Sequence, residues 1–166
     1  MEMDPVAQVV ADALDALQVE HELLDCDPEL ADTAAFCAHY GYPYDRSANT
    51  IVVMSKRPQG HHSASVVLAD SRLDVNRTVC RLMGVKKASF APPEATAELT
   101  GMVMGGVTPF GLPEDFPIYV DSRVMEREWV ILGGGSRSMK VKVDPVAFER
   151  MDQAQVIDGL ANPVET

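Results

Sequence analysis

Between Gly101 and Gly111 the chain reads Gly-Met-Val-Met-Gly-Gly-Val-Thr-Pro-Phe-Gly, with four glycines and a proline in eleven residues. This segment limits the fold more than any other. Glycine weakens helix and strand interiors, while Pro109 fixes φ and removes a backbone donor. Few of its side chains could do chemistry, so what it offers a ligand is backbone. Two readings stand at this point. The segment is a turn between two elements, or it is the wall of a small pocket whose amides and carbonyls grip a compact polar ligand.

The flanking pattern mixes helices and strands without strict alternation. Apolar residues at Val6, Val9, Val10, Ala13, Leu14 and Leu17 make one face of a helix that starts at Asp4-Pro5. Val19–Leu24 reads as a strand, and Asp32 or Thr33 caps a helix that ends at Gly41. Thr50–Met54 and Ser65–Ala69 are β-branched runs suited to buried strands, and the polar Ser55–Ser63 between them is expected to be a hairpin-like loop. Asp74 opens a helix through Met83, with Arg77 and Arg81 one turn apart. Lys87–Phe90 is a short strand, and Pro92-Pro93 starts a helix to Thr100. Strands follow near Ile118–Val120, Trp129–Leu132 and Met139–Val143, then a short helix from Pro145 to Met151 and a last apolar piece, Val156–Leu160. The expected class is α+β (mixed α/β): a curled, partly barrel-like mixed sheet surrounded by helices.

At 166 residues the chain reads as one domain, 1–166, and can bury about 70% of its unfolded surface without staples. Cys26, Cys37 and Cys80 are odd in number and lack Cys-x-x-Cys spacing, so they read as reduced thiols of a cytoplasmic protein. The acidic start Met1–Pro5 does not resemble a signal peptide, and no apolar run is long enough for a membrane span.

A net charge of −11 argues against a polyanionic partner, but its distribution does not. Residues 1–45 hold eleven acidic residues and no Lys or Arg, whereas residues 46–87 hold eight basic residues against Asp70 and Asp74. That middle third is a candidate phosphate footprint, with Lys56, Arg57, Arg77 and Arg81 as the contacts. The competing reading is that these charges scatter over the folded surface.

Gly105-Gly-Val-Thr-Pro109 matches a Gly-x-x-x-Pro loop. Ser47–Val53, Val66–Asp70, Pro117–Asp121 and Gly133–Arg137 follow in the order and spacing of the same pattern. On these motifs the chain, from about Val6 to Leu160, resembles the YbaK family of editing domains related to the insertion domain of bacterial prolyl-tRNA synthetase. The resemblance implies a pocket for an aminoacyl group, lined by Gly105, Gly106 and Pro109, and hydrolysis of an aminoacyl-tRNA ester. It implies no cofactor and no metal. It implies aminoacyl-tRNA as the partner, an aminoacyl-tRNA synthetase as a further candidate partner, and no membrane. Many active members carry a lysine on the first core strand, where this chain has Asn49 followed by Thr50. Asparagine cannot replace a cation that steadies a phosphate or an oxyanion. Two functions therefore stand: a freestanding deacylase that removes a small mischarged amino acid from tRNA, and a catalytically weakened module that binds aminoacyl-tRNA or a nucleotide.

The candidate catalytic set is Asn49, Gly105, Gly106 and Pro109, with Thr50, Thr108, Asp121, Gly134, Gly135 and Ser136 as substrate-binding candidates. Asp121 reads first as a helix cap and Lys56 as a solvated loop residue, and Gly134–Ser136 reads equally as a β-turn. His61-His62 lacks zinc-ligand spacing. Gly133–Arg137 lacks the Lys-Ser/Thr of a P-loop, and no Gly-x-Ser-x-Gly elbow occurs.

Overall fold

The computed structural model describes residues 4–164. Met1–Met3, part of the acidic start, lie outside the described residues. The elements run in the order α1 (Pro5–Leu17), β1 (His21–Asp25), α2 (Thr33–Tyr40), β2 (Ala48–Arg57), β3 (Gln59–Leu68), β4 (Ser71–Leu73), α3 (Cys80–Met83), β5 (Lys87–Phe90), α4 (Pro93–Thr100), β6 (Ile118–Asp121), α5 (Ser122–Met125), β7 (Val130–Gly133), β8 (Met139–Val143), α6 (Val146–Glu149), β9 (Ala154–Ile157) and β10 (Ala161–Pro163).

The strands form three open sheets: β5-β2-β3-β6-β9, β1-β8-β7, and the pair β10-β4. In the five-stranded sheet β2 and β3 are antiparallel, while β6 runs parallel to both β3 and β9. The class is therefore mixed α/β, with the strands in separate ladders. A parallel bridge between Ser47 and Ile131 links the five-stranded sheet to β7. That junction places the site.

Strand alternation explains why the five-stranded sheet is central. Val66 and Leu68 of β3, with Ile118 and Val120 of β6, face the main core, where they meet Val10 and Leu14 of α1, Phe110, Phe116 and Phe148. Val67 and Tyr119, the intervening residues, face a second cluster with Leu73, Val79 and Leu160. Successive side chains point to opposite faces, so a strand apolar at every position needs cover on both. Each fully buried Val, Leu, Ile or Phe contributes about 1.5–3 kcal/mol. A third cluster, Cys26, Ala31, Phe36, Cys37 and Ile131, packs α2 against β7.

Local signals account for most boundaries. The Asp4 side chain accepts from the Val6 N–H at the start of α1, and α2 and α4 end at Gly41 and Gly101 in the left-handed region. The expected loop Ser55–Ser63 is instead mostly strand: β2 and β3 continue pairing through Met54–His62 and Lys56–Gln59 across a bulge. Backbone pairing carried two polar strands past the point where their apolar pattern stops. The expected helix Asp74–Met83 begins as a π-helical turn, Val75–Val79, before α3. Asp74 receives the Arg77 N–H and the Thr78 hydroxyl there.

Candidate active site

The first residues of β2 do not lie on an open sheet edge. They form the floor of a cavity of about 270 Å³ where the two larger sheets meet. Ala48, Asn49 and Thr50 contribute from β2, Thr33 and Phe36 from α2, Gly105 from the glycine-rich loop, Ile131–Gly133 from β7 and Lys140 from β8. Asn49 Oδ1 accepts a hydrogen bond from Thr33 Oγ1 at 2.6 Å, which leaves the Asn49 amide donors for the cavity. Thr50 Oγ1 is buried without a hydrogen-bond partner among the described residues. Buried hydroxyls are normally satisfied, and this one is an exception.

The glycine-rich loop is held by its own backbone. Gly135 N–H donates to Gly106 O at 2.7 Å, and Gly106 N–H donates to Val103 O at 2.9 Å. A Cβ on Gly106 would lie 2.7–2.9 Å from the Ser136 backbone, and one on Gly133 would lie 2.5 Å from Val107 O. Side chains would therefore force the Gly105–Pro109 and Gly133–Ser136 loops apart. Gly105 has φ +88°, and a Cβ there would run into the Arg137 guanidinium and contact Ala31, not enter open cavity. Arg137 ties this corner together, donating to Pro28 O and Met104 O.

The structure thus brings Asn49, Thr50 and Gly105 to the cavity wall. Gly106, Gly134, Gly135 and Ser136 lie behind that wall, where the two loops touch. Thr108 and Pro109 are buried beyond the lining, Thr108 with its hydroxyl unpartnered among the described residues. Asp121 does not line the cavity. It sits at the end of β6, 1% exposed, at the N-cap of α5 without a side-chain capping bond. Burial pushes its carboxyl above the usual range, against the pull of Arg123. Lys56, Arg57, Arg77 and Arg81 are exposed. Lys56 follows Asn49 by seven residues on one strand, about 23 Å away at ~3.3 Å per residue.

Lys140 was not among the residues singled out from sequence. It is 6% exposed, and its Nζ donates to Ala31 O and, at 3.2 Å, to Gly105 O. The Phe36 ring lies 5.6 Å from the ammonium. Burial lowers its pKa below the ordinary lysine value, with Arg137 acting in the same direction and Asp32 opposing. Met139–Val143 carries the signal: Lys140 and Lys142 share one face of a strand whose other face is apolar. Sequence alone cannot say that one is buried and the other lies over Trp129, 4.5 Å from the ring centre.

The sequence profile of the aminoacyl-tRNA editing domain matches residues 27–151, which include every cavity residue named above. The chain belongs to this family. Among curated relatives, EbsC of Enterococcus faecalis, named provisionally as a Cys-tRNA(Pro)/Cys-tRNA(Cys) deacylase, is 24% identical over 55% of this chain and 55% of its own length. The uncharacterized YwhH of Bacillus subtilis is 32% identical over 62% of this chain and 65% of its own. The matches thus span about half to two thirds of those relatives.

Among solved structures, a provisionally named trans-editing enzyme for prolyl tRNA synthetase superposes with TM-score 0.78 at 23% identity, covering 95% of this chain and 98% of that one. A protein described only as hypothetical superposes with TM-score 0.81 at 25% identity, covering 92% and 99%. These likenesses establish the editing-domain fold. Among the described residues no group of three or more His, Cys, Asp or Glu could hold a metal ion, and no helix is long and apolar enough to cross a membrane.

Proposed function

We propose that the protein is an aminoacyl-tRNA deacylase that hydrolyses the ester of a small mischarged amino acid, acting in trans to the synthetase. The observation that carries this reading is the cavity itself. Asn49, Thr50 and Lys140 line a space of about 270 Å³ backed by the glycine-rich loop. Phe36, Ile131 and Leu132 give that space an apolar side that can receive the side chain of a small aminoacyl group.

Hydrolysis needs the ester held in place, donors at the carbonyl oxygen and an attacking water. Asn49 and Thr50 stand where they can orient the aminoacyl group, and the loop from Gly105 to Pro109 shapes the wall behind it. The exposed residues Lys56, Arg57, Arg77 and Arg81 are the candidate contacts for tRNA phosphates away from the reacting end. A synthetase that binds the same tRNA is the natural partner. The three buried, unpaired cysteines suit a reducing cytoplasm.

A second reading, a module that binds aminoacyl-tRNA or a nucleotide without turning it over, is favoured by one feature: Asn49 is uncharged where active relatives of the YbaK type carry lysine. Incubation with Ala-, Ser- and Cys-tRNA-Pro at low salt tests the first reading. Release above the spontaneous rate on any of them supports the deacylase. No release by folded protein across the set contradicts it and supports the binding module.

A further inference from the structure

A lysine that is 94% buried normally faces a carboxylate, because an ammonium is costly to remove from water. Lys140 does not. Both its hydrogen-bond acceptors are neutral carbonyls, Ala31 O and Gly105 O. The carboxylate of Asp32 is exposed, its side chain 79% accessible, and pairs with Arg137 at 3.6 Å. The ammonium has three donors. Two are used, and the third has no acceptor among the described residues, although the side chain lines the cavity. A bridge between two carbonyls could be made by a neutral amide at much lower desolvation cost. The charge is retained without a buried counter-ion, and a ligand oxygen that carries or develops negative charge would account for it.

We propose that Lys140, entering from β8, is the catalytic cation of this site. Its free N–H donates to the carbonyl oxygen of the bound aminoacyl ester, so the site keeps a cation although Asn49 stands where the YbaK resemblance has a lysine. The inference rests on the deacylase reading. During hydrolysis the oxygen of water bonds to the carbonyl carbon and the bond from that carbon to the ribose oxygen breaks. One water proton ends on the ribose oxygen, and the amino acid leaves as its acid, which ionises to solvent. Lys140 keeps its protons throughout and balances the negative charge on the carbonyl oxygen as it forms. Asn49, anchored by Thr33, supplies a neutral donor beside it.

The test compares single-turnover deacylation by the wild type, Lys140→Met, Lys140→Gln and the double variant Asn49→Lys/Lys140→Met, with thermal unfolding of each. Loss of one preorganised stabiliser costs about 10²–10³ in rate, and that loss is expected in both single variants. Lys140→Gln keeps a donor for the two carbonyls, so it separates charge from clamping. The double variant restores an ammonium from β2, in the other sheet, and is expected to recover at least about tenfold, which a purely structural role for Lys140 would not produce. A folded Lys140→Gln with the wild-type rate overturns the inference and leaves the deacylase reading intact. Failure of the wild type itself on every mischarged tRNA overturns both.

Discussion

Lys140 Nζ donates to the Gly105 carbonyl at 3.2 Å, so the glycine-rich loop is tied across the cavity to a strand of the three-stranded sheet. This contact joins the feature most visible in the sequence to the one least visible in it. It also makes the cavity a junction of two sheets instead of a dent in one.

Gly106 and Gly105 are expected to respond differently to alanine. A Gly106 Cβ would press on the Ser136 backbone at 2.7–2.9 Å, which cannot swing aside. Gly106→Ala should cost about 1–3 kcal/mol, the usual range for overpacking, and weaken deacylation by parting the loops. At Gly105 the obstacle is the far end of Arg137, a flexible side chain, but φ is +88°. Gly105→Ala in the Arg137→Ala background should therefore still be destabilised, because backbone strain remains after the clash is gone. Denaturant unfolding of the four proteins checks this.

Thr33 holds Asn49 by a 2.6 Å hydrogen bond. Thr33→Val should cost about 1 kcal/mol in stability and lower the deacylation rate more than the stability loss explains, since Asn49 is then free to turn. A crystal structure of the variant with Asn49 unmoved and the rate unchanged would contradict this role.

The glycine-rich loop, helices α1, α2 and α4, and strands β5 and β8 were legible from local chemistry. Caps, glycine stops and strand alternation act within a few residues. What was not legible depends on contacts between distant segments. Ser55–Ser63 looked like a loop because its side chains are polar, yet ladder hydrogen bonds need no apolar side chains. Nothing near Lys140 in the sequence marks it as buried, because its burial is set by Ala31 and Gly105, 109 and 35 residues away. Asp121, a substrate-binding candidate and also a helix-cap candidate, sits at the end of β6 with β3 between it and β2, outside the cavity lining.

Burial lowers the Lys140 pKa below 10.5, its ordinary value. The groups facing it are Cys26, Cys37, Asp32 and Arg137. The unfolded chain then binds more protons than the folded one between the two values, and stability gains with pH there. The penalty is fully present below the folded pKa and shrinks as pH rises from there to the unfolded value of 10.5. Relative to Lys140→Met, the wild type should therefore gain stability on alkaline titration. Deacylation, corrected for spontaneous hydrolysis, should fall over the same range as the ammonium is lost. Parallel stability curves for the two proteins would contradict this.

Arg77 and Arg81 are exposed and one turn apart, away from the cavity. Arg77→Gln and Arg81→Gln should raise the KM for tRNA and flatten the dependence of log K on log salt by about 0.7–0.9 per lost phosphate contact. Single-turnover rates at saturation should not change. Competition binding across a salt series provides the check.

Single-turnover deacylation of tRNA-Pro charged with alanine, set beside the same tRNA charged with phenylalanine, tests the central claim most directly. The account predicts release of alanine well above its spontaneous rate and phenylalanine at its spontaneous rate, because the proposed substrate is a small amino acid seated against Phe36 and Ile131. Equal acceleration of both esters, or acceleration of neither by folded protein, would contradict it.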